Sequence, residues 1–346
     1  MFDGVLLLSF GGPEGPDDVM PFLRNVTRGR GVPEARLAAV AEHYQHFGGV
    51  SPINDQNRAL LEAVRKDFDA HGIALPLYWG NRNWKPYLAD AVRHMRDDGV
   101  SRALVFATSA TGSYSACRQY REDMKQARTY SGDGAPELVK LRHYFDHPGF
   151  VEANADGVRA ALALLSEPLR DAAALVFTAH SVPVAMNELS GPGADRLYQR
   201  QHLQTAQLVA EAVRGPGAAF TFAWQSRSGP PSVPWLEPDI NDHLRDLAAR
   251  GTRAVVVAPT GFVSDHLEVR WDLDVEAAQT AAELGMEFRR AATAGVHPAF
   301  VATIRELVQE QTDGAAPMML GTLGVCGADC PGTCCPAPVR VPIPTP

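Results

Sequence analysis

The 346-residue sequence contains no apolar run of the roughly 20 residues that a membrane-spanning helix requires. Its first segment, MFDGVLLLSFGG, carries an aspartate where a signal peptide has basic residues. Positive charge is also in short supply, because 32 Lys and Arg face 40 Asp and Glu, giving a formal net charge of −8. A nucleic-acid-binding protein normally carries a basic stripe. We therefore expect a cytoplasmic protein with no transmembrane segment and no nucleic-acid partner.

The common phosphate-binding motifs are missing as well. The first apolar run is followed by GGPEGP, which lacks the G-x-G-x-x-G spacing, and no GKS or GKT occurs. Because an α/β fold does not by itself imply nucleotide binding, the absence of these motifs disfavours that function.

Lysine is scarce, since only four of the 32 basic residues are lysines: Lys66, Lys85, Lys125 and Lys140.

Eight short apolar runs alternate with stretches of helical periodicity. This alternation predicts parallel sheets covered by helices on both faces, and the length favours two domains over one. We predict an α/β fold of two similar doubly wound (Rossmann-like) domains with four-stranded parallel sheets. The predicted strands are residues 4–10, 75–80, 103–110, 137–144, 173–180, 219–226, 253–262 and 286–291.

The domain limits follow from the same pattern. We predict an N-terminal domain at residues 1–150, a C-terminal domain at 151–312 with a last helix over 298–311, and a tail at 313–346. The tail holds seven prolines and four of the five cysteines. Because it has little periodic hydrophobicity, it needs something other than a hydrophobic core to order it.

Two strand ends carry groups suited to metal and proton chemistry. The fifth predicted strand ends in His180, and the seventh is followed by SDHLEVRWDLDVE, which contains Glu268, Asp272 and Glu276. Steps of four residues keep side chains on one helix face, so the three carboxylates would form a column. In one parallel sheet, His180 and Glu268 would emerge at the edge where open α/β sheets bind ligands.

Both features have ordinary alternatives. A histidine at a strand end is often a hydrogen-bonded structural residue, and acids on a helix usually face water. The functional interpretation is favoured here, because carboxylates in a partly apolar setting repel one another unless protons or cations are shared among them. The apolar residues interleaved with them are Leu267, Val269, Trp271, Leu273 and Val275.

Several loops are rich in arginine and aromatic residues. Arg28, Arg30 and Arg82 could each bind a carboxylate or phosphate of a ligand in a forked geometry, and flat aromatic side chains could stack on a planar ligand. Taken singly, each arginine is more often a surface residue and each tyrosine a core residue.

The four cysteines of the tail form the pattern C-x3-C-x3-C-C, and the fifth, Cys117, lies in a predicted loop. Disulfides are rare in the cytoplasm. The cysteines therefore either bind a metal or are free thiols without a role. Four thiolates hold either a structural zinc ion or an iron–sulfur cluster. We favour a metal site, with Cys117 as a distant ligand. The tail cysteines are Cys326, Cys330, Cys334 and Cys335.

These motifs together resemble the ferrochelatases, with a match that covers about residues 2–310. The tail and Cys117 resemble the actinobacterial branch, in which one internal and three C-terminal cysteines hold a [2Fe-2S] cluster. That branch inserts Fe²⁺ into coproporphyrin III, and the resulting coproheme is later converted to heme b by a decarboxylase. The matching segments are SFGGP, VTRGRG, HFGGVSPIN, YFDHP, FTAHSVP, WQSRSGP, PWLEPD and GFVSDHLEVRWD.

The resemblance implies roles for individual residues. It assigns catalysis and transient iron binding to His180 and Glu268, with Asp272 and Glu276 leading ions to or from solvent. One of Cys330, Cys334 and Cys335 would be a spare thiol. The implied porphyrin contacts are Phe10, Arg28, Arg30, Ser51, Arg82 and Tyr120.

Phe10 departs from family members that carry tyrosine at its position, and its ring has no oxygen that could ligate the product iron. Two other functions stay open at this point. The substrate could be protoporphyrin IX, or the protein could be a non-catalytic heme or porphyrin carrier or sensor. The acidic column argues against a carrier, because a carrier needs no route for protons.

Overall fold

In the computed structural model, which describes residues 1–29 and 31–337, eight strands alternate with helices along the chain. Each predicted strand is present, with ends that differ by a few residues. The strands are β1 Gly4–Ser9, β2 Leu77–Asn81, β3 Arg102–Ala107, β4 Glu137–Lys140, β5 Ala174–His180, β6 Thr221–Gln225, β7 Ala254–Ala258 and β8 Glu287–Arg290.

The strands form two four-stranded sheets of the same topology. The first has the order β2-β1-β3-β4 and the second the order β6-β5-β7-β8, and every pairing is parallel. The predicted α/β fold with two four-stranded parallel sheets is therefore confirmed. In each sheet the chain leaves the two central strands toward opposite edges of the sheet. The carboxyl ends of these two strands are where such folds bind ligands.

Helices lie between consecutive strands along the chain, as the sequence pattern predicts, and most of them are amphipathic. Two segments, Tyr114–Arg118 and Arg270–Ala277, are π-helices, which we call the first and the second π-helix. The α-helices are α1 Val19–Val26, α2 Glu34–His46, α3 Ile53–Ala70, α4 Leu88–Asp97, α5 Gln119–Ser131, α6 Pro148–Ala163, α7 Glu167–Arg170, α8 Val184–Glu188, α9 Leu197–Arg214, α10 Ile240–Ala249, α11 Leu267–Val269, α12 Ala278–Glu283 and α13 Pro298–Thr312.

Both sheets are buried on both faces, as continuous apolar strands require. In the first sheet, Leu7 and Leu104 point to one core while Leu6 and Val105 point to the other. The second sheet divides in the same way, with alternate residues of β5 and β7 on opposite faces. This alternation leaves only the strand ends and their loops available for a site.

Two helices connect the halves of the molecule. Helix α6 places Phe150 in a core of the first sheet and Val158 in a core of the second. Helix α13 follows the second sheet in the chain, yet its Phe300, Ile304 and Leu307 pack on the first sheet. The domain limits at residues 150 and 312 stay a prediction, to which the structure adds this return of α13 to the N-terminal core.

The described part of the tail lies against both halves. The buried Arg142 forms a two-bond ion pair with Glu310 and donates to the carbonyl of Met318. On the C-terminal side, Gln204 donates to the hydroxyl of Thr322. These polar contacts replace the hydrophobic core that the tail lacks. They also explain why β4 ends at residue 140 and not at 144, since the chain beyond it turns toward the tail.

No helix within residues 1–29 and 31–337 combines the length and the apolar character needed to cross a bilayer.

Candidate active site

His180 is the last residue of β5, and its imidazole orientation is fixed by the backbone. The hydroxyl of Tyr198 donates to the His180 carbonyl at 2.8 Å. The ring Nδ1 contacts the carbonyl oxygen of Ser181. Because a carbonyl oxygen only accepts, Nδ1 must carry the proton, which makes Nε2 the nitrogen able to accept a proton or a metal. Nε2 lies 3.7 Å from Oε2 of Glu268.

Glu268 reaches this position from the neighbouring strand. Strand β7 pairs in parallel with β5, and the loop after it leads to His266, whose Nδ1 accepts a hydrogen bond from the Val269 amide and caps α11. The Glu268 side chain lies beside His180 with 44% of its surface exposed, and the protein around it removes part of the water from its carboxyl. This burial raises the pKa of Glu268 to about 7. The carboxyl can therefore gain or lose a proton at neutral pH.

Asp272 lies in the second π-helix, behind Glu268. Burial raises the pKa of Asp272 to about 7, helped by the nearby carboxyls of Glu268 and Glu276 and opposed by hydrogen bonds from Ser226 and Gln225. The Gln225 amide donates to Asp272 at 3.2 Å. The Ser226 hydroxyl also donates to it, and Ser226 has a left-handed backbone with φ of 61°. Strain of this kind is common where a side chain is held for function.

Glu276 ends the series nearest to the surface. The indole N–H of Trp271 donates to its carboxyl at 2.8 Å. The residue also lines an open cavity of about 440 Å³, together with Asp239, Arg245 and Glu283. The carboxyls thus extend from the imidazole of His180 toward solvent. The helix that bears Asp272 and Glu276 is a π-helix, although the four-residue spacing had predicted an α-helix.

The N-terminal half closes over this segment. Tyr44 of α2 is buried close to the acidic groups, and burial together with the charges of Glu268 and Asp272 raises its pKa well above the usual value. The imidazole of His43 stacks on Trp271, with 3.9 Å between ring centres and an angle of 9° between planes. Helix α2 therefore contacts the segment that carries the carboxyls.

Sequence reasoning missed several residues of this site. Tyr44 lies in an amphipathic helix, where an apolar position predicts core packing. The motif segments FTAHSVP, WQSRSGP and SDHLEVRWD are visible in the sequence, but within them only His180 and the acids carry a chemical signal. The overlooked site residues are Tyr44, Gln225, Ser226 and His266.

Three of the predicted porphyrin contacts form a group in the N-terminal half. The guanidinium of Arg82 lies over the Tyr120 ring at 4.4 Å and near the Phe10 ring at 5.9 Å. Arg82 also forms an ion pair with Asp123. Phe10 follows β1 and is partly exposed, whereas Tyr120 is buried. Phe10 thus offers a flat apolar surface, and Arg82 already has a carboxylate partner within the protein.

Two of the other three predicted contacts, Ser51 and Arg28, do not join this group. Ser51 is buried beneath Gly12, where an added Cβ would come within 2.6 Å of the Ser51 Cβ. Arg28 is exposed just after α1. Arg30 lies outside the described residues.

The tail segment that carries four of the cysteines lies against the first π-helix and α5, where Arg118 donates to the Gly332 carbonyl and Arg121 donates to the Gly327 carbonyl at 2.7 Å. Cys117, Cys334 and Cys335 are buried, and all five are free thiols. The sulfurs of Cys334 and Cys335 are 3.6 Å apart. The Gly191 amide donates to the Cys335 sulfur at 3.2 Å. The tail cysteines therefore lie against the C-terminal half as well as against the first π-helix, which carries Cys117.

The thiols are electrostatically coupled. The hydrogen bond with Cys326 lowers the pKa of Cys330, while the same bond and burial raise the pKa of Cys326. Cys117 raises the pKa values of Cys326 and Cys335 further. Within residues 1–29 and 31–337, no three Cys, His, Asp or Glu side chains already stand in the arrangement of a metal site. Bound ions would have to draw the thiolates into ligand positions.

The chain is similar to known proteins over nearly its whole length. It is 58% identical to the coproporphyrin III ferrochelatase of Nocardia farcinica, over 98% of each chain. It is 55% identical to the coproporphyrin III ferrochelatase of Streptomyces coelicolor, over 99% of this chain and 95% of the relative.

Among solved structures, SirB from Bacillus subtilis with Fe³⁺ matches 90% of this chain and 98% of its own, with a TM-score of 0.53 and 12% identity, which supports the fold alone. The family model described as ferrochelatase matches residues 2–312. Together with the extent and identity of the curated relatives, this match shows that the chain belongs to the ferrochelatase family, the enzymes that insert iron into porphyrins.

Proposed function

We propose that this chelatase inserts Fe²⁺ into coproporphyrin III to give coproheme, and that His180 and Glu268 carry the chemistry. The observation that supports this is the 3.7 Å approach of His180 Nε2 to the Glu268 carboxyl, from two neighbouring strands. Insertion must remove the pyrrole N–H protons and strip water from the metal. An unprotonated imidazole nitrogen beside a carboxyl with a pKa of about 7 can do both.

In this mechanism, His180 Nε2 accepts a pyrrole proton or briefly holds the iron. Glu268 can also accept the proton or hold the iron, because at neutral pH part of its population is ionised and part protonated. Asp272, whose pKa is also about 7, receives the next proton. Glu276 passes protons or ions to the surface cavity that it lines. The carboxyls thereby form a route away from the macrocycle.

A chelatase must release the metal it binds. His180 and Glu268 supply nitrogen and oxygen ligands, which hold Fe²⁺ more loosely than thiolates would. An incomplete ligand set of this kind favours transfer of the ion to four pyrrole nitrogens. The cysteines therefore have no part in the insertion step.

The porphyrin is flat, and its nitrogen lone pairs become accessible when the ring is bent. A site complementary to the bent ring lowers the barrier more than one complementary to the planar substrate. We propose that the ring packs against Phe10, that Arg28 and Arg30 bind its carboxylates, and that Ser51, Arg82 and Tyr120 make further contacts. The choice of coproporphyrin III over protoporphyrin IX is supported by the two relatives named above.

The tail cysteines suit a [2Fe-2S] cluster by donor type, and Cys334 and Cys335 also by their burial and by the 3.6 Å between their sulfurs. Cys117, Cys326 and two of Cys330, Cys334 and Cys335 would hold it, with one thiol to spare. A backbone N–H directed at the Cys335 sulfur is typical of cluster ligands. When bound, a cluster accepts a single electron and cross-links the tail to the first π-helix. The test is chemical analysis: iron and inorganic sulfide in equal amounts support a cluster, whereas stoichiometric zinc contradicts it.

We also propose a cytoplasmic location, where cellular reductants would keep the cysteines available as ligands. The product coproheme still carries its four propionates and passes to a downstream decarboxylase.

The insertion function is tested by anaerobic incubation with Fe²⁺ and either porphyrin, followed by absorption spectra. We expect turnover with coproporphyrin III well above that with protoporphyrin IX. In His180→Ala and Glu268→Gln, insertion should fall by about 10²–10⁴-fold while porphyrin binding persists. The matched control is His94→Ala, because His94 is exposed on α4.

Three results would contradict the proposal. Near-normal turnover in both variants removes His180 and Glu268 from the mechanism. A preference for protoporphyrin IX replaces the substrate. Porphyrin binding without insertion by the unmodified protein points to a carrier.

A further inference from the structure

Arg290 is the last residue of β8, and its side chain lies between two acidic residues that follow β7. Its Nη1 and Nη2 donate to the Asp265 carboxylate, each at 3.0 Å. Its Nε and Nη2 donate to the Asp274 carboxylate at 2.5 and 3.1 Å. The guanidinium thus forms two forked ion pairs at once. A planar guanidinium suits this geometry, and an ammonium group cannot reproduce it.

The two carboxylates stand at the two ends of one segment, residues 265–274, which we call the carboxyl segment. Asp265 precedes Glu268 by three residues, and Asp274 follows Asp272 by two. Asp274 belongs to the second π-helix. One side chain therefore holds both ends of the segment that carries Glu268 and Asp272.

Arg290 acts from a fixed position in the sheet. Strand β8 pairs in parallel with β7, with Arg290 opposite Val257. The Ala291 amide donates to the Val257 carbonyl at 2.9 Å, and only 16% of the Arg290 side chain is exposed. The carboxyl segment is therefore anchored to the second sheet itself.

Other contacts hold the carboxyl segment at single points. The Asp265 amide donates to the side chain of Gln56 at 2.7 Å, and Nε of Arg270 lies 3.9 Å from the Asp274 carboxylate. Within the part of the chain that the structure describes, Arg290 is the one cation paired with Asp265, whose side chain is 17% exposed. Without the guanidinium, this largely buried carboxylate would have to move to regain water.

We propose that Arg290 is a positioning residue for iron insertion, which holds Asp265 and Asp274 and thereby keeps the Glu268 carboxyl 3.7 Å from His180 Nε2. The inference rests on the roles proposed above for His180 and Glu268. A displacement of about 1 Å between reacting groups can lower turnover by about 100-fold. Arg290 therefore governs the rate of insertion and not the binding of the porphyrin.

The experiment measures kcat and the porphyrin KM with Fe²⁺ and coproporphyrin III under anaerobic conditions. In Arg290→Met, kcat should fall by about 10–100-fold while KM stays within about twofold. Arg290→Lys keeps the charge but loses the forked bonds, so kcat should fall by about threefold to tenfold.

The matched control is Arg305→Met. Arg305 is also largely buried, with 12% of its side chain exposed, and it donates to both carboxylate oxygens of Asp67. This pair joins α13 to α3, away from the carboxyl segment. Arg305→Met should lower Tm, as Arg290→Met does, and leave kcat unchanged.

A second measurement separates positioning from a general loss of structure. In the Glu268→Gln protein the carboxylate to be positioned is already gone. Adding Arg290→Met should then lower the residual insertion rate, followed by single-turnover absorption spectra, by about twofold or less. A defect spread through the fold would lower that rate by the same factor as in the unmodified protein.

The outcomes separate this inference from the function on which it rests. Normal kcat in folded Arg290→Met, an equal loss in Arg305→Met, a change confined to KM, or a full additional loss in Glu268→Gln each overturns it. If Arg290→Met does not fold, Arg290→Lys decides: a lower kcat at unchanged KM supports the inference, and a normal kcat overturns it. Near-normal turnover in His180→Ala and Glu268→Gln removes the proposed chemistry, and this inference with it.

Discussion

At the scale of the residue, the site keeps carboxyl groups in surroundings that disfavour their charge. Burial raises the pKa values of both Glu268 and Asp272 to about 7. Ser226 and Gln225 hold Asp272 in place by donating to it. A fold selected for stability alone would have apolar or amide side chains here. The cost is consistent with groups that must exchange protons with a substrate.

Glu268→Gln should therefore stabilise the unliganded protein at alkaline pH. A carboxyl whose folded-state pKa is raised destabilises the fold when it ionises, so this penalty grows from about pH 4.5 and is complete above pH 7. Because 44% of the side chain contacts solvent, we expect a modest rise in Tm of about 2–4 °C at pH 8. The rise should vanish near pH 4, where the group is neutral in both states. Thermal denaturation at both pH values is the measurement.

The control for this effect is Glu42→Gln on the exposed surface of α2, which should leave Tm unchanged at both pH values. An equal gain at both pH values in Glu268→Gln would mean that packing, not charge, is the cause.

His180 and Glu268 could be predicted from the sequence, because strand ends of a parallel sheet are identifiable from apolar runs. Ser226 could not, because its left-handed backbone is imposed by the loop around it and leaves no compositional sign. Tyr44 could not either, since burial against a core and burial against a carboxylate have the same sequence pattern.

At the scale of the element, the second π-helix determines how the carboxyls are presented. Its wider turn places Asp272 and Glu276 on one side of a segment whose Leu273 is fully buried. The spacing of four residues predicted an α-helix. Hydrogen bonds of the π type depend on neighbouring elements, here α2 and the loop after β6, and periodicity does not reveal them.

The stack of His43 on Trp271 should hold α2 against the second π-helix. Aromatic pairs contribute about 0.5–1.5 kcal/mol, so His43→Ala should speed amide exchange in α2 by roughly threefold to tenfold through local opening. Hydrogen exchange with peptide-level resolution is the measurement. His94→Ala on α4 is the control and should leave α2 unchanged. Unaltered exchange of α2 in His43→Ala would show that its apolar contacts suffice.

At the scale of the whole molecule, the tail replaces a core with hydrogen bonds to both halves. The Arg142 guanidinium binds the Met318 carbonyl, the His143 amide binds the Cys326 carbonyl, and Gly191 binds the Cys335 sulfur. The sequence predicted that the tail needs an ordering agent. It could not predict these partners, because they come from distant parts of the chain.

Ending the chain at Asp313 should destabilise the protein even without any cluster. Three or more hydrogen bonds are lost and their buried partners are left exposed or unsatisfied. This loss should lower the free energy of unfolding by about 3–5 kcal/mol. Urea denaturation of the metal-free proteins is the measurement. Thr322→Ala, which removes one exposed bond to Gln204, is the control and should cost about 1 kcal/mol or less. A truncated protein as stable as the full chain would show that the tail contacts do not contribute to the free energy of unfolding.

The return of α13 to the first sheet also bears on how the protein is synthesised. Phe106 of β3 and Leu60 of α3 share a core with Phe300 and Leu307, which leave the ribosome some 200 residues later. The first half therefore emerges with part of its apolar surface uncovered until translation is nearly finished. A nascent chain in this condition depends on chaperones for longer than one whose halves complete themselves in order.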